Sequence, residues 1–287
     1  MTSFKSAICA GVVAGGVVLS GTAAHAAGEG PVVPRQEWSF SGVTGTFDKA
    51  QLQRGYQVYR EVCAACHGLK FLSWRNLSQS GGPGLTEAEV KALAAEAEVT
   101  DGPNEEGEMF TRPALPSDSI GAPYSNVQEA RAANGGAYPP DLSLIAKARS
   151  VNRPSLGFAP INWVRDIALG DETRGVDYVY KLLKSYPEEP PEGFQLGEGM
   201  YYNDIYPGHQ IAMASPLSDD IVEYAQSDVP TTTDQYAKDV SAFLMWAAEP
   251  KLEERKSLGL RVLLYLIVLT TLLYLAKRKL WSRVSGH

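Results

Sequence analysis

Cys63-Ala64-Ala65-Cys66-His67 is the stretch on which the reading of this chain turns. It is the C-x-x-C-H pattern by which a polypeptide attaches a c-type haem. Two thiols bond to the two vinyl groups of one porphyrin, and the next residue offers an imidazole to the iron. A thioredoxin-like C-x-x-C would need a βαβ setting, and none precedes Cys63. A zinc site would need two further ligands. The only other cysteine, Cys9, lies in a leader read below as cleaved. With three cysteines and four histidines in 287 residues, chance supplies roughly 0.0004 such matches, so the motif is read as one covalently bound haem c.

Working outward, Asp48 with Gln51 three residues on is a capping-box-like helix start. Leu52, Tyr56, Tyr59, Val62, Cys63 and Cys66 follow at helical spacing. The stripe runs into the cysteines and predicts one helix face meeting the porphyrin. Tyr56 and Tyr59 read as plain core, and Gly55 as a place where another helix comes close. Thr86 with Glu89 predicts a helix over 86–99. Thr232 with Gln235 predicts another, with Tyr236, Val240, Phe243, Leu244 and Ala247 on one face, ending at Pro250. Residues 81–84, 113–123 and 187–191 read as loops.

The iron of such a haem has a sixth position. Candidates are Met109, Met200, Met213, Met245, His209 and His287. His287 lies beyond the apolar tail, Met245 is off the stripe of its predicted helix, and Met109 adjoins the acids of 105–108. Met200, His209 and Met213 stay open, with Met213 favoured because Pro216 stiffens its loop. A lone methionine also fills core gaps, so spacing alone does not choose.

Both ends are apolar. Residues 7–19 (AICAGVVAGGVVL) follow the lone charge of Lys5 and precede the A-x-A site Ala24-His25-Ala26, so residues 1–26 read as a cleaved signal peptide. Residues 262–276 (VLLYLIVLTTLLYLA) carry no charge. Extended back to Leu258 they approach the ~20 residues that cross a ~30 Å hydrocarbon core. Arg261 lies near the start, where it snorkels to the interface. Lys277, Arg278, Lys279 and Arg283 follow without an acid, which places residues 277–287 in the cytoplasm. The reading is an exported haem domain at 27–257, in the periplasm, on a single span at 258–276 of the inner membrane. The charged segment 250–257 is too short for a flexible tether.

The chain has 26 basic and 33 acidic residues, net −7. Six of the bases sit in or beside the apolar ends, so residues 27–257 carry net −13. Such a domain lacks the basic face a nucleic-acid binder needs. Its acids cluster at 87–108 and 219–228, which suits docking of a basic cytochrome c as electron acceptor.

Longer strings carry a resemblance. They are Arg54 to Tyr59 (RGYQVY) before the haem motif, Asp101 to Phe110 (DGPNEEGEMF), Pro139 to Ser143 (PPDLS) with Ala146 to Arg149 (AKAR), and Asp239-Val240 on to Trp246 to Pro250 (WAAEP). These resemble the cytochrome c1 family, haem subunits of the quinol–cytochrome c reductase (bc1) complex, from about Trp38 to the apolar tail. The resemblance implies a mainly α, class I cytochrome c-like haem domain with long loop insertions and one C-terminal transmembrane helix. It implies Met213 as the axial methionine, Arg149 on a haem propionate and Tyr178 near the haem. It implies an electron-transfer subunit with no catalytic site of its own. Electrons would come from a Rieske iron–sulfur protein and leave to a cytochrome c, with cytochrome b as a further partner. Residues 150–173 exceed the mitochondrial loop in length and hold no cysteine for the disulfide some bacterial relatives use.

Two other classes compete. A haem peroxidase needs an open sixth position and usually a second haem, and a tethered shuttle needs a long linker.

Overall fold

The structure is a computed structural model describing residues 32–151, 160–162, 164–165, 174–225 and 228–282. The segment read as a signal peptide, most of the 150–173 loop, Arg283 and His287 lie outside the described residues. In chain order the elements are α1 (Lys49–Glu61), β1 (Leu69–Ser73), α2 (Glu87–Ala95), β2 (Glu98–Asp101), β3 (Phe110–Pro113), β4 (Ser119–Ile120), α3 (Val127–Ala133), α4 (Ile145–Ala148), α5 (Gly175–Leu183), β5 (Tyr201–Tyr202), β6 (Gln210–Ile211), α6 (Thr233–Ala248) and α7 (Leu252–Trp281). The fold is mostly helical, as expected. Among the described residues its strands pair only as antiparallel ribbons, β1 with β4, β2 with β3 and β5 with β6.

The Asp48 carboxylate accepts from the Ala50 and Gln51 amides at 2.8 and 3.2 Å and starts α1. The helix stops at Glu61, before the cysteines. Cys63–Ala65 tighten into a 3₁₀ turn in which the Cys63 carbonyl accepts from both Cys66 (3.1 Å) and His67 (2.9 Å). The predicted apolar stripe therefore does not carry the cysteines on its own face. It packs on α6 instead, with the Tyr56 and Tyr59 rings 5.6 and 5.7 Å from that of Phe243. Gly55 makes the crossing close. A Cβ there would lie 2.1 Å from the Asp239 carbonyl oxygen and 2.7 Å from the Phe243 Cβ.

Two helix boundaries differ from the sequence expectation. Thr86 and Glu89 form a complete capping box, yet α2 ends at Ala95 rather than at 99. Acids at Glu96 and Glu98 oppose the negative end of a helix dipole. Residues 98–101 pair with 110–113 as β2 and β3. The C-terminal helix begins at Leu252, not Leu258, and runs 30 residues, about 45 Å. Residues 252–257 of the expected charged linker are its first turn and a half, rich in good helix formers.

That first turn is seated on the domain. Leu252 is buried. The Glu253 carboxylate accepts from the Phe47 amide (2.8 Å), and the Lys256 ammonium donates to the carbonyls of Phe40 (2.5 Å) and Gly45 (3.2 Å). From Leu258 on the apolar side chains stand exposed, and the helix is long and apolar enough to cross a membrane. At its head Glu249 bonds Arg255 and, at 3.0 Å, Lys147.

Candidate haem site

The motif turn is positioned by the end of α1 below and by residues 140–143 alongside. The Leu142 amide donates to the Gly68 carbonyl at 2.9 Å. The Asp141 carboxylate accepts from the Lys70 amide at 2.8 Å, and Ser143 Oγ from the Phe71 amide at 3.1 Å. This lays Pro140 against the imidazole, with His67 Nδ1 2.7 Å from the Pro140 carbonyl oxygen. A carbonyl only accepts, so Nδ1 carries the proton and Nε2 keeps its lone pair. A backbone acceptor behind a histidine is the usual support of a metal-ligating ring. The Tyr59 hydroxyl donates to the His67 carbonyl at 3.0 Å and fixes the backbone too.

Burial lowers the His67 pKa, with the Pro140 carbonyl and Asp141 opposing. Burial thus favours the neutral imidazole, the form that binds iron. Cys63 and Cys66 are not bridged to each other. Burial, with Cys66 adding, pushes the Cys63 thiol up to about 12. Two neighbouring thiols and an imidazole with one nitrogen committed and one open fit a covalently attached haem.

The other expected residues gather elsewhere on the core. Tyr178 is buried on α5. Its pKa is raised by burial, against which the nearby Arg149 charge works. Arg149 is exposed just past α4. Met213 is partly buried, and its carbonyl accepts from the Tyr186 hydroxyl at 3.1 Å. Burial raises the Tyr186 pKa as well, and Tyr178 is one of its electrostatic neighbours. Tyr178 thus has Arg149 and Tyr186 as electrostatic neighbours, and Tyr186 bonds the Met213 backbone. Met213 and Cys63 abut the same hydrophobic core.

The other described sixth-ligand candidates have their own surroundings. The His209 ring stacks on Tyr202 at 5.7 Å with an interplanar angle of 15°, and its Nδ1 faces the Asn203 carbonyl at 3.3 Å. Met200 is 40% exposed and Met109 61%. Met245 lines a cavity of about 60 Å³ beside Glu249 and Leu252, at the head of α7.

Pro140 and Tyr186 are the site residues that sequence reasoning missed. Pro140 stood in a quoted string, but no spacing rule links it to a histidine 73 positions away.

This arrangement defines a class, a c-type cytochrome domain seated on a long apolar helix, the one such helix among the described residues. The profile described as Cytochrome C1 family matches residues 38–284. The chain is 44% identical to a cytochrome c1 of Rhodospirillum rubrum over 96% of its own length and 97% of that protein. It is 45% identical to the Candida albicans protein named cytochrome b-c1 complex catalytic subunit, mitochondrial, over 94% and 84% of the two chains. It is also 49% identical to a cytochrome b/c1 of Bradyrhizobium diazoefficiens, of which it spans 35%. The chain belongs to the cytochrome c1 family, and its cofactor is one covalently bound haem c.

Proposed function

We propose that this chain is the haem-carrying electron-transfer subunit of a quinol–cytochrome c reductase complex, taking single electrons from a Rieske iron–sulfur protein and passing them to a cytochrome c. The observation that carries the reading is the His67 ring, aimed by Pro140 from a C-x-x-C-H turn, in a chain matched along most of its length by the family. When bound, the haem supplies a one-electron ferric–ferrous centre. Cys63 and Cys66 would hold it covalently, and His67 would bind its iron through the open Nε2. Met213 would supply the second protein ligand, a thioether that would raise the potential relative to two histidines and leave no site for oxygen or peroxide. Arg149 would offset the charge of a propionate, and Tyr178, its electrostatic neighbour, would line the haem pocket. No substrate bond is made or broken, so no general acid, base or nucleophile is needed.

The exposed apolar flank of α7 is the face for cytochrome b within the membrane. Lys277, Arg278 and Lys279 put its far end in the cytoplasm. Residues 27–257 then lie in the periplasm, exported by the signal peptide at 1–26. The acceptor is a basic cytochrome c, drawn by the acidic surface.

The test is a reduced-minus-oxidised spectrum of the full chain purified in mild detergent. A c-type band together with two co-purifying b haems and an iron–sulfur protein is expected. Purification without b haem would overturn the complex. Turnover of peroxide at the iron would favour a haem enzyme.

A further inference from the structure

Tyr186 stands three residues past the end of α5, and its hydroxyl reaches 27 positions along the chain to the Met213 carbonyl. The segment it stands on is itself braced. The buried Asn203 side chain donates to the Leu182 carbonyl at 3.0 Å and accepts from the Ile205 and Tyr206 amides, each at 3.0 Å. The Asp204 amide donates to the Ser185 carbonyl at 3.1 Å. Residues 182–186 and 203–206 are therefore one bracket. The β5–β6 ribbon ends at Ile211, two residues short of the methionine. Beyond the ribbon, the bond at the Met213 carbonyl ties its backbone to the bracket.

A methionine side chain has three rotatable bonds and a weakly basic sulfur. Whether that sulfur stays on a metal depends on how much of its freedom is removed beforehand. A phenylalanine at 186 would fill the same space, so packing alone does not call for the hydroxyl.

We propose that Tyr186 is a positioning residue for the sixth ligand. Its hydroxyl fixes the Met213 carbonyl and, through the backbone, the direction of the thioether. This rests on Met213 being the axial ligand, as proposed above.

The experiment uses the full-length, haem-loaded protein in detergent and compares Tyr186→Phe, Met213→Leu and Tyr224→Phe. Tyr224 donates its hydroxyl to Asp239 at 3.0 Å in the core, so its loss reports on stability alone. Three signals are read: the sulfur-to-iron charge-transfer band of the ferric form, carbon monoxide binding by the ferrous form, and the midpoint potential. Met213→Leu abolishes the band and admits carbon monoxide fully. Tyr186→Phe keeps the haem attached but raises the unligated fraction roughly five- to tenfold, the size of one neutral hydrogen bond, and lowers the potential. Tyr224→Phe melts earlier with all three signals unchanged. A Tyr186→Phe protein identical to wild type, beside an altered Met213→Leu, overturns the positioning role and leaves the ligand assignment standing. A Met213→Leu protein that keeps its band overturns both. If Tyr186→Phe does not accumulate, Tyr186→His, which keeps a ring and a donor, should recover ligation lost in Tyr186→Leu, and equal spectra for those two sink the proposal.

Discussion

The Arg54 guanidinium on α1 donates to the fully buried Asp239 carboxylate on α6, 2.8 Å from Nε and 3.3 Å from a terminal nitrogen. Gln51, Gln235 and Tyr224 complete the shell at 3.2, 2.9 and 3.0 Å. The pair sits where Gly55 lets the two backbones touch, so it clamps the helix that ends in the haem turn. Removing one partner leaves a buried charge uncompensated, a cost of about 3–5 kcal/mol. Arg54→Leu should therefore melt roughly 6–20 °C below wild type. The double variant Arg54→Leu/Asp239→Leu should lose less than the two single losses added. Additive losses in calorimetry would refute the coupling.

Gly55→Ala sets helix propensity against packing. Alanine gains about 1 kcal/mol in a helix. Its methyl would stand 2.1 Å from a backbone oxygen of α6, which has no rotamer to yield. Packing should win, with a net loss of roughly 1–3 kcal/mol in urea denaturation. A stabilised variant would mean that the helices separate freely.

Met213→Leu should keep its covalent haem and lose a large part of the ~0.8 V range that axial ligands span. Met200, already 40% exposed, should be replaceable by Leu without effect. Redox titration of both variants decides between them, and the reverse result would move the sixth ligand to Met200.

Acid should loosen the neck. Burial opposes the charge on Glu249, but hydrogen bonds from Arg255 and Lys147 outweigh it and hold the carboxyl below its ordinary value. A carboxyl whose folded pKa is depressed contributes its stability above the unfolded pKa, about 4.3, and loses it as pH falls through the folded value. Denaturation of wild type and Glu249→Gln from pH 7 to 3 should show a constant gap at the neutral end that closes in acid. A gap that persists at pH 3 would place the effect elsewhere.

Reduction of a basic cytochrome c should slow steeply as salt passes ~0.1 M, where the Debye length is ~10 Å. The structure narrows which acids take part. Glu96 pairs with Arg60, and Asp101 with Arg112, while Glu87, Glu98, Glu105, Glu106 and Glu108 stand exposed. Changing those five to Gln should flatten the salt dependence without moving the haem potential. Stopped-flow rates indifferent to salt in wild type would mean a different partner or a different face.

Much of this protein was legible in its residues alone, and the legible parts are local. The haem turn is five contiguous residues. The starts of α1, α2 and α6 were each announced by a capping side chain, Asp48, Thr86 or Thr232. The apolar tail needs only length and hydropathy. Such signals are complete within one turn or one span, so neighbours in sequence suffice to read them. What closes α2 at Ala95 is a strand partner at 110–113, and what holds the first turn of α7 is a set of contacts to Phe40, Gly45 and Phe47 more than 200 positions away. The acceptor behind His67, the donor on Met213 and the carboxylate facing Arg54 lie 73, 27 and 185 positions off. Hydrogen bonds across such separations leave no periodicity in the chain, because either partner alone is an ordinary polar group. Only the packed backbone brings the two within hydrogen-bond reach.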